Sequence, residues 1–319
     1  MRAVVATRPG PADVLTVVEL PDPEPEPPQV IVAVEAAATT FIDTQLRSGD
    51  GVRPLGADAF PIVLGNGVGG RVIAIGADVS PDWLSVRVVT STGGSGGYAS
   101  RAVAAFADLH RVPDDLDMAT AVAVLADGRT ALGLARAARI RRGETVVVTA
   151  AGGGVGSLLV QLASDAGGTV IALAGDGRKL DHARRQGATI AINYREAGWT
   201  DRLDPDLDVV FDGVGGDVSA PLATRIRAGG RYLPHGAASG GWGNVDTDDL
   251  RARGITMIPL TEIATDQAEL YRLVEEALRR AADGTLRPTI GQTFPLERAR
   301  DAHAAMEARE TLGKTLLIP

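Results

Sequence analysis

The sequence predicts an α/β protein built around a doubly wound parallel sheet, and three observations carry that prediction. Strand-like and helix-like segments alternate regularly between residues 119 and 261, the pattern of a parallel sheet covered by helices on both faces. One of those strands runs straight into a glycine turn and then an apolar helix: Thr145-Val146-Val147-Val148-Thr149-Ala150-Ala151-Gly152-Gly153-Gly154-Val155-Gly156, followed by Ser157-Leu158-Leu159-Val160-Gln161-Leu162. The third observation is a change of texture, since the first 110 residues are rich in short β-branched runs rather than helix.

The elements follow in order. Segments 29–36, 68–76, 86–90 and 98–103 read as strands, the last two flanking a glycine-rich turn. Pro21 to Pro28 (PDPEPEPP) has the composition of a linker, but strand-like runs lie a few residues away on either side. It reads as an acidic, proline-stiffened loop inside the first domain. Residues 117–139 are Ala/Leu-rich and helical. The alternation then runs as strand 144–149, helix 156–166, strand 169–174, helix 179–186, and strands 189–193 and 207–212. Helix 219–227 and strands 230–234 and 254–259 complete it. A helix at 266–282, a strand near Thr293, a helix at 296–308 and a strand at 315–318 close the chain. A length of 319 residues suits two domains.

Composition removes several function classes. A net charge of -8 argues against general affinity for nucleic acid or anionic membrane, and no uninterrupted apolar stretch reaches the roughly 18 residues of a membrane span. Cysteine is absent, which excludes disulfides, thiol nucleophiles and Cys-ligated zinc and fits, without requiring, a cytoplasmic location. The first ten residues hold too short an apolar run for a signal peptide. The four histidines (His110, His182, His235, His303) are scattered; each reads as a surface or capping residue, and no metal site is expected.

The glycine turn points to a dinucleotide. Glycine lets backbone approach a diphosphate closely, and the unpaired N–H groups and positive dipole end of the next helix stabilise its charge. Gly153, Gly154, Val155 and Gly156 are the expected cradle. No Lys-Ser or Lys-Thr pair follows, so a Walker-type site is excluded. At the end of the next strand two readings stand. Asp176 lies about 20 residues beyond Gly156, where an acid would bond the ribose of NAD. Yet the strand ends at Ala174, and Asp176 sits in a Gly-Asp-Gly turn before Arg178 and Lys179, cations that suit the 2′-phosphate of NADPH. NADPH is favoured; the bland reading of Arg178 and Lys179 is a solvated first helical turn.

Several segments together resemble the zinc-free quinone oxidoreductases of the medium-chain dehydrogenase/reductase superfamily. They are Phe41 to Gly49 (FIDTQLRSG), Pro61 to Asn66 (PIVLGN), Ala150 to Gly156 (AAGGGVG), Ile192 to Glu196 (INYRE), Asp212 to Gly216 (DGVGG) and Gly313 to Pro319 (GKTLLIP). The resemblance covers essentially the whole chain. It implies a β-rich GroES-like catalytic domain formed by both chain ends, residues 1–118 and 262–319, around a Rossmann domain at 119–261. It implies that Lys179 and Tyr194 hold the 2′-phosphate, that Thr130, Val214 and Lys314 are cofactor positions, and that the loop from Gly236 to Ser239 borders the nicotinamide. It also implies a homodimer pairing the last Rossmann strand, near residues 255–260. Departures from the family pattern fall at Thr40, Gln45, Gly67, residues 85–88, Asp127 and Arg129. They cluster where the substrate cleft is expected and point away from simple quinones as the natural substrate.

The expected activity is hydride transfer from NADPH to a quinone or other α,β-unsaturated carbonyl. It needs little from the protein beyond positioning and a hydrogen-bond donor for the developing oxyanion. Thr40, Gln45, Arg47 and Asn66 are the candidate donors, with Arg129 a further candidate. Against this, Arg47 has Asp43 as a partner within reach, while Thr40 and Asn66 suit loop backbone. No proton donor is evident, which leaves water to protonate the enolate. Two alternatives stay open: an enoyl-thioester or enone reductase of specialised metabolism, and a non-catalytic NADPH-binding sensor. A serine hydrolase built on Gly93-Gly94-Ser95-Gly96-Gly97 requires a helix after the serine, whereas a strand is expected there.

Overall fold

Both ends of the chain build one unit, Met1–Ala126 with Val274–Pro319, and the intervening Asp127–Leu273 builds the other. The computed structural model describes residues 1–50, 55–203, 205–263 and 266–319.

The unit of the two chain ends begins with β1 (Arg2–Ala6), β2 (Leu15–Glu19), β3 (Gln29–Thr39), α1 (Phe41–Ser48), β4 (Ile62–Val63), β5 (Gly67–Ile75), β6 (Arg87–Ser91), β7 (Arg101–Ala105) and β8 (His110–Arg111). The acidic proline loop joins β2 to β3 within this unit. α2 (Met118–Ala138) continues from here into the second unit. It has the length and hydropathy of a membrane span, yet Asp127, Arg129 and Arg136 interrupt it and Ala121 to Leu125 are buried. Met118 and Val122 fill the space over Gly69, where a Cβ would meet both side chains. That is the packing of a core helix.

The second unit contains β9 (Thr145–Val148), α3 (Gly154–Asp165), β10 (Thr169–Ala174), α4 (Gly177–Arg185), β11 (Ile190–Asn193), β12 (Leu207–Asp212), α5 (Ser219–Ala223), β13 (Ile226–Pro234), α6 (Thr247–Ala252) and β14 (Thr256–Met257). The six strands form one sheet in the order β11-β10-β9-β12-β13-β14, every pair parallel. The order reverses between β9 and β12, which makes the carboxyl ends of those strands the switch point where such sheets bind ligands. Val146, Val147, Val148 and the whole of β12 are buried, as strands covered on both faces must be.

α7 (Gln267–Ala282) leads back to the first unit, which closes with β15 (Ile290–Pro295), α8 (Ala299–Glu307) and β16 (Lys314–Ile318). β16 lies between β15 and β3 in a sheet ordered β15-β16-β3-β5-β6-β8, with β7 also on β3. Thr315 pairs with Thr39, so the last strand joins the first forty residues directly. Val4, Leu64, Tyr98, Leu296, Ala302 and Leu317 share the core beneath.

Some expected elements differ. The helix expected over 219–227 stops at Ala223, because Ile226 already pairs with Leu207. The Ala/Arg content favoured helix there, but a sheet partner outweighs propensity. The strand expected at 254–259 is only Thr256–Met257. The helix expected from 296 begins as a 3-10 turn and becomes α at Ala299. The strand expected from Tyr98 starts at Arg101. Three of the four histidines are not surface residues: His303 is fully buried, His110 and His182 are buried too, and His235 is half-buried.

Candidate functional site

The glycine turn is shaped by close approaches rather than by flexibility. Ala150 takes a positive φ of 50°, and Gly153, the N-cap of α3, donates its N–H to the Ala150 carbonyl at 2.8 Å. A Cβ on Gly156 would lie 2.8 Å from the Ala150 carbonyl carbon and closer to its oxygen, so only glycine lets the helix reach the turn. The first helical bond runs from Ser157 N to Gly153 O at 3.0 Å. The N–H groups of Gly154, Val155 and Gly156 therefore find no acceptor inside the helix and form an anion-binding end. Val155 is half-buried beside them. This cradle, which side chains would fill, fits a dinucleotide diphosphate.

The carboxyl end of β12 is fixed by Asp212, which is 1% exposed. Its Oδ1 accepts from Thr149 Oγ1 at 3.0 Å and from the backbone N–H groups of Val214 and Gly215, each at 3.1 Å. Its Oδ2 accepts from Tyr232 at 2.7 Å and from Ser219. Burial raises the Tyr232 phenol, and the Asp212 carboxylate adds to it. The Gly236-to-Ser239 loop is laid on the same turn: Ala238 N donates to Gly213 O at 3.2 Å and Ser239 N to Val214 O at 2.8 Å. Gly236 packs so tightly on Gly213 that a Cβ would meet its backbone at 2.8 Å. The two expected cofactor segments are thus joined by backbone hydrogen bonds beside the switch point.

Beyond β10 the cationic cluster is larger than the sequence suggested. Lys179 lies along the glycine turn, and a Cβ on Gly152 would touch its stem at 2.5 Å. Asp176 caps α4, accepting from Lys179 N at 2.9 Å and pairing with its ammonium at 3.2 Å. Burial raises the Asp176 pKa, but the Lys179 contacts and the charge of Arg178 bring it below the ordinary range. A Cβ on Gly175 would lie 2.9 Å from Arg195 Nε and 3.2 Å from the Tyr194 hydroxyl, so both side chains converge over that glycine. Arg195 was not among the expected residues; the signal for it was its place next to Tyr194 just past the end of a strand. Arg178 is exposed in the first turn of α4.

Thr130 is half-buried on α2, one helical turn from Asp127 and on the same face. Asp127 packs against Gly154 at the start of α3. Burial disfavours the charged form of Arg129, and Asp127 partly offsets that.

In the unit of the chain ends the expected donors separate into structural and available groups. Thr40 is the N-cap of α1 in a capping box: its hydroxyl and its N–H both meet Asp43 Oδ2 at 2.7 Å. Arg47 does not pair with Asp43. It is 1% exposed and bound to Glu307, because α8 packs on α1 and brings that acid to it. Burial at that depth takes Arg47 out of the solvent-facing donors. Gln45 is half-buried on α1. Asn66 is exposed, with Oδ1 accepting from Gly94 N at 2.6 Å and from Ser91 Oγ at 2.7 Å. A backbone N–H fixes which end of the amide is oxygen, so its NH2 group remains as a preset donor. Lys314 is buried in β16, and its charge acts on the buried Asp43 carboxyl. Burial still raises the Asp43 pKa overall. After Ser95 the next element is strand β7, not the helix a nucleophile elbow needs.

A family profile described as zinc-binding dehydrogenase matches residues 186–317. The donor set does not fit zinc: cysteine is absent, and among the described residues no group of three or more His, Asp or Glu is placed to hold a metal ion. The chain is 32% identical to a probable quinone oxidoreductase of Schizosaccharomyces pombe over 99% of this chain and 96% of that protein. It is 33% identical to a quinone oxidoreductase of Pseudomonas aeruginosa over 93% of each. The fold matches the structure of Escherichia coli quinone oxidoreductase complexed with NADPH, with a TM-score of 0.91 and 28% identity across the whole of both chains.

Proposed function

The chain belongs to the quinone oxidoreductase-like family of the medium-chain dehydrogenase/reductase superfamily, and on that premise we propose that it is an NADPH-dependent reductase of quinones or other α,β-unsaturated carbonyls. The observation that carries the cofactor choice is the convergence of Tyr194, Arg195 and the nearby Lys179 beyond β10. Arginine and lysine there suit a phosphoryl group. The one acid in the turn, Asp176, is already committed to the α4 cap and to Lys179.

Bound NADPH supplies the hydride. The chain itself supplies position and polarity. The N–H groups of Gly154 to Gly156 would hold the diphosphate, and the Asp212-anchored segments of Val214, Gly236 and Ser239 would border the nicotinamide. Thr130 lies one helical turn from Asp127, which reaches the start of α3. On the substrate side Asn66 offers a fixed NH2 to a carbonyl oxygen, where it stabilises charge that grows during hydride addition. Gln45 is the second donor of this proposal. The dimer belongs to it as well: β14 edges the sheet with Thr256 and Met257 exposed, and sedimentation of the purified chain tests it.

The deciding experiment follows the absorbance of NADPH and of NADH in the presence of a panel of quinones and enones. Consumption of NADPH in preference to NADH is expected with at least one class of acceptor. Turnover of NADH alone overturns the cofactor assignment, and tight NADPH binding with no turnover across the panel overturns the enzymatic reading.

A further inference from the structure

Asp127 places a carboxylate at the start of α3. A Cβ built on Gly154 would lie 2.9 Å from Asp127 Cγ and nearer still to Oδ2. Gly154 is the first residue of α3, within the turn whose N–H groups have no acceptor inside the helix. Partial positive charge is greatest at this point of a helix, and an anion there is stabilised. The chain thus brings an anion of its own, from α2, to the end of the helix that a diphosphate would need. Two residues on, Arg129 is half-buried, its cation disfavoured by burial and favoured by Asp127.

We propose that Asp127 is a resident competitor of the cofactor diphosphate. In the ligand-free protein its carboxylate neutralises the α3 N-terminus; when the diphosphate docks, the carboxylate gives way. The inference rests on the NADPH reading above and deepens it, since it assigns a residue that sets cofactor affinity. Two anions at one helix end repel, so the binding-competent arrangement is the one with Asp127 displaced. Apparent affinity falls by the fraction of molecules in that arrangement. The same competition favours departure of the oxidised cofactor, a step that often limits turnover.

The test is calorimetry on the full chain with two ligands, NADPH and adenosine 2′-monophosphate. The second carries the 2′-phosphate but no diphosphate. In Asp127→Asn and Asp127→Ser, NADPH binding tightens about five- to thirty-fold, the factor that corresponds to ~1–2 kcal/mol. Binding of adenosine 2′-monophosphate stays at the wild-type value. The melting temperature of the ligand-free variants falls, because the helix has lost its anion. A purely structural Asp127 would show the lower melting temperature without the tighter binding. Unchanged or weaker NADPH binding, in a variant that holds adenosine 2′-monophosphate as the wild type does, overturns the proposal while leaving the cofactor reading intact. Failure of the wild type to bind either nucleotide overturns both. If one variant does not fold, the other gives the same reading.

Discussion

The Tyr98 hydroxyl and His303 Nε2 stand 2.9 Å apart in the core of the unit made by the two chain ends, with their rings edge-on at 85°. His303 is fully buried and its Nδ1 has no hydrogen-bond partner among the described residues. Burial, followed by the charge of Arg47, pulls its pKa down to about 3, so the folded imidazole is neutral.

That neutrality has a cost in acid. Unfolded, a histidine takes up its proton near pH ~6.5; folded, His303 does so only near 3. Between those values the unfolded state binds the extra proton, so stability is complete above about pH 6.5 and falls as pH drops toward 3. His303→Gln removes this contribution. Near neutrality the variant is less stable than wild type by about 1–3 kcal/mol, the cost of leaving Tyr98 poorly partnered. The gap narrows with acidification. Urea midpoints across that range read the difference. His182 and His235 are also depressed by burial and tilt stability in the same sense. Asp43 is raised and tilts it the other way, so only the difference between variant and wild type isolates His303. A constant gap across the range shows that His303 does not titrate as described.

Gly156→Ala forces a methyl against the Ala150 carbonyl. Overpacking of this kind costs about 1–3 kcal/mol, and here it also opens the cradle. Calorimetry of the variant should show NADPH affinity reduced at least tenfold, with a lower melting temperature. Wild-type affinity would mean that the glycine serves packing alone.

Arg195→Ala separates the two nicotinamide cofactors. A charge-assisted hydrogen bond contributes roughly 1.5–3 kcal/mol, so the Kd for NADPH should rise at least tenfold while that for NADH stays where it was. Fluorescence titration measures both. An equal loss for the two cofactors would place Arg195 in the fold rather than at the phosphate.

Asn66→Ala removes the preset amide donor and unties Gly94 and Ser91. The expected result is a fall in kcat of about 100-fold, the scale set by loss of one oxyanion donor, with NADPH affinity unchanged. Steady-state kinetics with the best acceptor checks it. Retention of kcat would remove Asn66 from the substrate side.

Much of the Rossmann unit was legible because its strands are short, largely apolar runs separated by helix-like segments. The spans read for β10 and β12 coincide with Thr169–Ala174 and Leu207–Asp212. The glycine turn was equally clear, since strand, glycines and apolar helix follow without a gap. What was hidden was decided by partners distant in sequence. Ile226 and Arg227 look helical until β12 pairs with Ile226. Arg47 has an acid four residues before it, yet it binds one at Glu307 that only packing brings near. His303 sits in the polar-looking stretch ARDAHAAME and read as a surface or capping group. Its spacing from Ala299 and Ala302, both buried, puts it on the core face of α8 and was the available sign. The proline-stiffened loop behaved as its flanking strands implied.

The pairing of β16 with β3 also sets an order of events at the ribosome. Asp127–Leu273 is one unbroken stretch and holds everything its parallel sheet requires before synthesis ends. The other unit begins first yet closes later, because its sheet keeps an open seam beside β3 until β16 emerges. Nascent chains cut short of Lys314 should therefore present a completed nucleotide-binding half tethered to an unfinished partner, the form on which chaperones and proteases would act.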